Sequence, residues 1–361
     1  MNIKLLAAIL AIGLVSGITL FTPCHSRAGE VTPTSGYKVL TPIRHGNLTV
    51  FPVVAARSYD TREFLTLDEG LRSGEVIVTE SGSVQPLMRR RRTPFARDGA
   101  QVNQLVLVNN SKRPLILLAG EIVTGGKQDR VIGKDRIIPA ESDPVDLGVF
   151  CVEPGRWTGS SAKFDSFNGA MAQPAVRAKA MAEKDQAQVW SEVGKTRDTL
   201  AGMLTAPAAA PVRETSSYAA VMDNREVKQR VDSVAEPIQH NYQSLIRELR
   251  DQNAVGVVVA VNGQMVWADI FASTNLLEKY WPKLVRSYAA EAVVTRVKSR
   301  EADEKQAQEF LNHLDGRHET VDSEPGLYRH TEIAGEGFRA FELTSLLPKT
   351  GFNLHVAKMT E

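Results

Sequence analysis

The sequence predicts an α+β protein, and three features of its pattern support this prediction. Between Tyr37 and Trp157, apolar residues occur in short runs rich in Val, Ile and Leu that Gly, Pro, Asn or Ser separate. Helix-forming residues dominate two later stretches between Pro174 and Arg250. An Asn-Gly pair at the centre of residues 255–271 is typical of a β-hairpin. A strand-rich N-terminal half, sandwich-like or a bent sheet, should therefore precede helices and a smaller mixed sheet.

Length and composition restrict the class of protein. The chain has 361 residues, 43 Lys plus Arg against 42 Asp plus Glu, and 43% hydrophobic residues. This is enough to bury a core in one large domain or two smaller ones. The charge balance excludes a mostly disordered chain and a polybasic nucleic-acid binder, so no nucleic-acid partner is expected. Two cysteines exclude a disulfide framework.

Residues 1–28 have the pattern of a secretory signal peptide. An apolar stretch of 17 residues follows Lys4, and Ser26 and Ala28 place small residues at a cleavage site. The alternative is an uncleaved anchor, because this stretch is near the lower length limit for a spanning helix. Cleavage would leave 333 of the 361 residues, with net charge −1 and Cys151 as the single cysteine. We expect an exported protein, periplasmic or extracellular, with no membrane contact after cleavage.

The strand-rich part is predicted to span residues 36–202 and to include one helix. Asn109 to Lys112 has the composition of a hairpin loop between two of its strands. The residues from Pro174 to Leu204 are mostly good helix formers and predict the helix. The predicted strands are Leu48–Ala55, Glu75–Thr79, Gln104–Val108, Leu115–Leu118 and Val145–Val152.

An internal boundary is predicted at residues 203–217, where Pro207 and Pro211 lie in an Ala-rich stretch typical of a loop or short linker. Residues 218–358 form the second part, beginning with a helix from Asn224 to Arg250 that Pro237 should break or kink. The hairpin follows, because Asn262-Gly263 suits a type I′ turn with positive φ at both residues. The remaining predictions are a helix capped by Ser273 and kinked at Pro282, a charged helix at Glu301–Leu314, and strands at Phe338–Thr344 and Asn353–Lys358.

The most unusual run of residues extends from Gly120 to Arg130. Gly125 and Gly126 permit close approach of the backbone to a ligand. A Lys charge and an Arg fork are suited to phosphate or carboxylate. The glycine spacing is not that of a Walker A loop, and a hairpin turn with solvated charges is the alternative. The residues that follow the glycine pair are Lys127, Gln128, Asp129 and Arg130.

A second run, from Phe150 to Trp157, places Cys151, Glu153 and Arg156 at the end of an apolar strand. Cys151 is either a nucleophile, with its base supplied from elsewhere, or a small buried hydrophobe. Glu153 and Arg156 could pair with each other or with the charges that follow the glycine pair.

The other candidate groups have simpler interpretations. Arg89 to Arg92 form a basic cluster that is better explained as a solvated loop than as a phosphate-binding surface. The histidines include no pair at metal-binding helix spacing, so neither a metal nor a cofactor is predicted.

Three segments, in this order along the chain, resemble one known family. They are Thr66 to Leu71, Leu118 to Arg130 and Cys151 to Trp157. They are similar to the domain family named for its association with ADP-ribosylglycohydrolases and rhodanese-phosphatase proteins, and the similarity extends over most of the chain after the signal. The resemblance implies one family domain that joins both parts. It also implies a genomic link to the processing of ADP-ribose or related nucleotides, which is association and not chemistry.

The leading hypothesis is an exported binding or scaffold domain that recognises a small anionic ligand. Lys127 and Arg130 would hold the anion, and Gln128 would orient it. One alternative is a hydrolase or thiol-dependent enzyme that uses Glu121, Glu153 or Cys151. Another is a structural or interaction protein in which the motif charges form a buried ion-pair network. The candidate ligand-binding residues are Glu121, Gly125, Gly126, Lys127, Gln128, Asp129, Arg130, Glu153 and Arg156.

Overall fold

The computed structural model describes residues 36–81, 103–248, 252–298, 300–322 and 326–361. The predicted signal peptide at 1–28 and the basic cluster from Arg89 to Arg92 lie outside these ranges. The α+β class is confirmed: strands form a closed barrel and a large sheet, with most helices between them in sequence. In the described ranges, none of the helices combines the length and hydrophobicity that crossing a bilayer requires.

Strands occupy both ends of the described chain. In chain order they are β1 (Tyr37–Val39), β2 (Ile43–His45), β3 (Leu48–Ala55), β4 (Leu65–Thr66), β5 (Val76–Thr79), β6 (Gln104–Asn109), β7 (Leu115–Leu117), β8 (Glu121–Gly125), β9 (Arg130–Ile132), β10 (Arg136–Ile138), β11 (Val145–Cys151), β12 (Phe164–Met171), β13 (Ala254–Val261), β14 (Gln264–Phe271), β15 (Gly316–Asp322), β16 (Tyr328–Gly335), β17 (Phe338–Ser345) and β18 (Asn353–Thr360).

Most of the helices lie between β12 and β15. In chain order the helices are α1 (Leu67–Ser73), α2 (Pro174–Ala178), α3 (Gln186–Met203), α4 (Ala206–Glu214), α5 (Tyr218–Asp223), α6 (Arg225–Glu248), α7 (Thr274–Val294) and α8 (Glu304–Asn312). A π-helical turn, Lys179–Glu183, separates α2 from α3.

The predicted bent sheet is a closed antiparallel barrel in the order β11-β6-β5-β12-β8-β9, with β9 pairing back onto β11. Alternate residues point inward, so Val78, Leu107, Val123 and Phe164 meet in its buried interior. A small sheet in the order β10-β7-β4 contributes Leu115 and other residues to the same core. The barrel is therefore packed with side chains and not hollow.

The nine-stranded antiparallel sheet draws on both ends of the chain. Its order is β1-β3-β13-β14-β18-β17-β16-β15, with β2 paired to β3. Helices α6 and α7 cover one face, where Trp267 and Phe271 pack against Tyr280 and Trp281. Helix α8 covers part of the other face through Leu311. Because β3 lies beside β13, the two predicted parts of the chain share one sheet.

The strongest local predictions are confirmed. Asn262 and Gly263 have φ values of 53° and 73°, as a type I′ turn between β13 and β14 requires. Ser273 Oγ accepts a hydrogen bond from the Leu276 backbone N–H at 3.0 Å and so caps α7. Pro237 and Pro282 lie inside α6 and α7, and the predicted break at Pro237 does not occur, since α6 continues through it.

Two local predictions are wrong, and one helix is interrupted. Residues 203–217 contain α4 where a loop or linker was expected. Pro207 lies in the first turn, where a proline loses no hydrogen bond, and the burial of Ala209 and Val212 offsets the hydrogen bond that Pro211 cannot donate inside the helix. Asn109 to Lys112 is not a hairpin loop, because β6 and β7 belong to different sheets. The predicted helix from Pro174 to Leu204 is interrupted at Lys184, which has a φ of 52°.

The turn after β6 depends on side-chain hydrogen bonds. The amide nitrogen of Asn109 donates to the carbonyls of Arg113 at 2.8 Å and Pro139 at 2.9 Å. Its amide oxygen accepts from the hydroxyl of Ser111 at 2.7 Å. Asn109 thus connects the end of a barrel strand to the neighbouring small sheet, which is why an Asn-Ser turn here does not produce a hairpin.

Gly263→Ala should destabilise the protein more than Gly46→Ala. Both glycines have positive φ, 73° and 59°, so each alanine costs about 1 kcal/mol in backbone strain. A Cβ at 263 would also lie 2.8 Å from a backbone atom of Arg300, whereas at 46 nothing lies within 4 Å. Chemical denaturation should show a loss larger by at least about 1 kcal/mol for Gly263→Ala. Equal losses would contradict the close contact with the 300–301 backbone.

Candidate functional site

The glycine pair forms the start of the turn between β8 and β9. Gly125 and Gly126 have φ values of 131° and 50°, which residues with a side chain rarely adopt. A Cβ at Gly126 would lie 2.3 Å from the ring of Phe164 and 2.7 Å from the carboxylate of Glu80. The close approach that these glycines permit is therefore to the protein's own side chains.

The charges of the two motifs bind one another. Arg156 Nε donates to Glu153 Oε1 at 2.7 Å, and its terminal nitrogen lies 3.5 Å from Asp129 Oδ1. Asp129 also accepts from Ser217 Oγ at 2.8 Å and from the Gly125 N–H at 3.2 Å. The predicted pairing of Glu153 and Arg156 thus occurs, and the carboxylates are engaged by the chain itself.

The remaining residues of the glycine motif differ in exposure. Gln128 Nε2 donates to the carbonyl of Glu153 at 3.0 Å. Arg130 is fully buried, and burial lowers the pKa of its guanidinium. Lys127 lies near the surface with its ammonium 4.9 Å from the centre of the Trp157 ring, a cation–π contact. Of the two cations predicted to hold an anion, only Lys127 is within easy reach of one.

Glu121 does not join this group. It lies at the opposite end of β8, where its carboxylate accepts from Lys283 Nζ at 2.7 Å and from the Leu118 N–H at 2.7 Å. Lys283 also forms an ion pair with Asp68. Burial raises the pKa of Glu121, although the charge of Lys283 opposes that rise. Glu121 therefore belongs to a separate buried ion pair that joins β8 to α7.

Cys151 is a buried residue at the end of β11. Its thiol is fully buried, and its sulfur accepts a hydrogen bond from the Glu153 N–H at 3.4 Å. The Gln186 side chain bonds both the N–H and the carbonyl of Cys151, each at 2.8 Å. Burial raises the pKa of the thiol, so the thiolate is disfavoured at neutral pH. These features favour the buried hydrophobe over the nucleophile.

A buried charge network that sequence reasoning missed lies between the barrel and the large sheet. Arg177 of α2 donates to both carboxylate oxygens of Asp269 in β14, each at 2.9 Å. His355 of β18 lies 3.0 Å from Asp269 through Nε2 and 2.5 Å from Asp135 through Nδ1. The Tyr288 hydroxyl also donates to Asp269. The four charged side chains are at most 1% exposed.

The network is balanced in charge at neutral pH. Burial alone would lower the pKa of His355, but Asp135 and Asp269 raise it to about 9, so the imidazole is protonated. Two cations then face two carboxylates. The ring of Trp267 lies 4.2 Å below the Arg177 guanidinium. A Cβ at Gly120, where φ is 97°, would lie 2.6 Å from Arg177. The first glycine of the motif therefore makes room for this arginine.

A cavity of about 430 Å³ lies between part of the barrel and part of the large sheet. The loop before β10 contributes Lys134, the π-helical turn and the residue after it contribute Met181 and Lys184, and β16 contributes His330. Its lining residues are Asn103, Gly133, Lys134, Gly148, Val149, Phe150, Ala180, Met181, Lys184, Glu319, Val321, His330, Glu332 and Phe341. It is partly open to solvent, and more of its lining surface is apolar than polar, as in most small-molecule sites.

Two polar groups in this cavity lack the partners that most such groups have. Lys134 is half-buried and makes no hydrogen bond or ion pair with another described residue. Burial and the nearby charges of Arg136 and Lys184 lower its pKa. His330 is 7% exposed, and its Nε2 has no hydrogen-bond partner among the described residues. Burial and the charge of Lys134 lower the pKa of His330 to about 4, so this imidazole is neutral at pH 7.

Sequence reasoning did not find this cavity. Lys134 was not singled out, and His330 was considered only for metal spacing. The structure brings them together from the loop before β10 and from β16, which lie far apart in sequence. Among the described residues, no three His, Cys, Asp or Glu side chains are grouped so that they could hold a metal ion.

His355→Gln should flatten the pH dependence of stability above pH 6.5. The folded-state pKa of His355 is raised to about 9, so its contribution is complete below pH 6.5 and is lost as the pH rises through 9. The free energy of unfolding should fall by about 2–3 kcal/mol more in the parent protein than in the variant over this range. Lys358, with a pKa of about 8, titrates in both proteins, so its contribution cancels in the difference between their pH profiles. Urea denaturation at several pH values measures the difference.

Asp135→Asn provides a second variant for the same prediction, because it removes the carboxylate bonded to Nδ1 of His355. It should also reduce the fall in stability above pH 6.5. Parallel pH profiles for the parent protein and both variants would show that His355 is not charged in the folded protein.

Cys151 should resist thiol reagents in the folded protein. Its sulfur is buried and its pKa is raised, so both access and the thiolate fraction are low. In a Cys24→Ser protein, a disulfide reagent at pH 8 should react at least 100-fold faster in denaturant than in native buffer. Rapid labelling without denaturant would instead favour a reactive thiol.

Comparison with known families supports the resemblance of the motifs. The family model described as the ARG and Rhodanese-Phosphatase-superfamily-associated Protein domain matches residues 36–357, a range that includes both motifs, the charge network and the cavity. The searches of curated proteins and of solved structures found no significant match. The chain therefore belongs to the ARG and Rhodanese-Phosphatase-superfamily-associated Protein domain family.

Proposed function

We propose that this protein is an exported binding domain that holds a small anionic ligand in the cavity between its barrel and its large sheet. Export rests on the signal-peptide pattern of residues 1–28. The observation that carries the binding role is the ammonium of Lys134, which lines the cavity and makes no ion pair with another described residue.

Lys134 is a suitable anchor because its charge is only partly hydrated. Burial and the charges of Arg136 and Lys184 lower its pKa more than the carboxylates of Glu332 and Asp135 raise it, so the surroundings on balance disfavour its positive charge. An anion in the cavity would offset that cost and gain a charge-assisted hydrogen bond. Met181, Phe150 and Phe341 line the same cavity, so a ligand bound to Lys134 would also contact apolar surface.

The glycine motif is less suited to an anion than its composition suggests. Arg156 is held by Glu153 and Asp129, and Arg130 is buried. An anion would have to displace these carboxylates from Arg156, or enter the core to reach Arg130. We therefore place the ligand at Lys134. The ion pair of Glu153 with Arg156 and the burial of Arg130 favour a structural role for these three residues.

Binding is also favoured over the two enzymatic alternatives. Glu121 is buried and paired with Lys283, so its carboxylate is not available as a general base for a bound water. Glu153 is occupied by Arg156 and the Asp129 N–H. Cys151 has a buried thiol with a raised pKa. Each of these groups already has a structural partner or lacks access to solvent.

Lys134→Ala should weaken the binding of an anionic probe. We suggest titration with 8-anilinonaphthalene-1-sulfonate, whose sulfonate and rings match a cation on an apolar wall, followed by fluorescence. Loss of one charge-assisted contact predicts about a tenfold rise in Kd. Lys195→Ala is the matched control, because Lys195 lies on the surface of α3 with a side chain that is 67% exposed and should leave Kd unchanged.

Lys127→Ala distinguishes the two candidate sites. If Lys127→Ala raises Kd and Lys134→Ala does not, the anion binds at the glycine motif and the cavity proposal fails. If neither lysine affects Kd, the probe is bound elsewhere and the proposal also fails.

A further inference from the structure

The charged side chains that line the cavity balance one another. Lys134 and Lys184 are countered by Glu319 and Glu332, whose residues form a cross-strand pair between β15 and β16. His330 adds no charge at pH 7, because burial and the charge of Lys134 hold its pKa near 4. The described lining residues therefore carry no excess of positive charge with which to attract a polyanion.

Two of these four charged side chains already bind each other. Lys184 Nζ lies 2.6 Å from Glu332 Oε2, and Glu332 also lies 3.5 Å from Arg339. Lys134 remains as the one cation of the lining that makes no ion pair with a described residue. One ammonium can neutralise one negative charge. A second or third negative charge would lie in the same small space as Glu319, and that repulsion would weaken binding.

The rest of the lining is suited to an apolar body. Phe150, Met181 and Phe341 line the cavity, and the Phe341 ring lies 6.0 Å from the imidazole of His330 at 41°. A Cβ at Gly133 would lie 2.7 Å from the Phe150 ring, so this glycine makes room for the ring at the wall. Rings pack against such surfaces edge-to-face or with an offset.

We infer that the ligand is a compact apolar or aromatic acid with a single negative charge, such as a carboxylate on a ring or a branched hydrocarbon. This inference rests on the function proposed for the same cavity. The carboxylate binds the ammonium of Lys134, and the hydrocarbon body covers Phe150, Met181 and Phe341. At about 430 Å³ the cavity lies near the lower end of the range for ligand pockets, about 300–1,000 Å³, which suits a molecule of this size.

The same reasoning disfavours nucleotides such as ADP-ribose. A pyrophosphate carries at least two negative charges and is usually met by backbone N–H groups at a helix N-terminus or by an arginine fork. Among the residues that the structure describes, the lining of this cavity includes one ammonium without an ion pair and no arginine. The nucleotide association suggested by the family's name therefore does not describe the chemistry of this cavity.

Isothermal titration of the full mature chain with a panel of probes tests the inference. Benzoate and cyclohexanecarboxylate should bind at least tenfold more tightly than acetate, which lacks the apolar body. Benzyl alcohol, which lacks the charge, should bind at least tenfold more weakly than benzoate. ADP-ribose should bind no more tightly than inorganic phosphate. Lys134→Ala should reduce benzoate binding about tenfold.

Glu319→Gln adds a variant that should gain binding. Glu319 lies on the exposed strand β15, so the change should not affect folding, and it gives the lining an excess charge of +1. Its affinity for phosphate should rise at least threefold while its affinity for benzoate changes less. Glu304→Gln, an exposed change in the first turn of α8, is the control and should alter neither.

The outcomes separate this inference from the proposed function. If ADP-ribose or phosphate binds more tightly than benzoate and depends on Lys134, the ligand class is wrong and the cavity remains the binding site. If none of the probes binds in a Lys134-dependent way, both the ligand class and the proposed function are wrong.

Discussion

The buried network of Arg177, Asp269, His355 and Asp135 is the interaction on which the rest of the structure depends. Each charge lies where water cannot reach it, so each is tolerable only while its partner is in place. Its members come from a helix, two strands of the large sheet and the loop before β10. The network thus fixes the barrel against the sheet. Because Lys134 directly precedes Asp135, the same contacts also set the position of Lys134 at the cavity.

Local patterns in the sequence were sufficient to predict local structure. The Asn262-Gly263 turn and the Ser273 cap need only neighbouring residues to form, and both are present. The prediction at Asn109 failed because its side chain bonds Pro139, 30 residues away. Closure of the barrel likewise pairs β9 with β11, and β8 with β12, at separations that no local pattern specifies. Residues 203–217 were misread because Ala and Pro occur both in linkers and in helix first turns.

The same limit explains the outcome for the candidate site. Charge and glycine content identified Asp129, Glu153 and Arg156 as unusual, and they do lie together. Composition cannot distinguish charged side chains that bind a ligand from charged side chains that form ion pairs with one another. No local sequence pattern indicated the cavity, because Lys134 and His330 are separated by more than half the length of the chain. Whether a given lysine has a carboxylate partner is decided by tertiary structure alone.

The strand order of the large sheet has a consequence for how the chain is made. Strand β18 follows all the other strands of this sheet in the chain, yet it pairs with β14 and β17 in the interior of the sheet and carries His355. A chain synthesised from its N-terminus can therefore not complete this sheet, or neutralise Asp135 and Asp269, until β18 has been synthesised. Contacts between distant segments also make folding slow. Pairing of β18 is thus a late step that completes the sheet, and a chain that lacks β18 would lose an interior strand and not an edge strand.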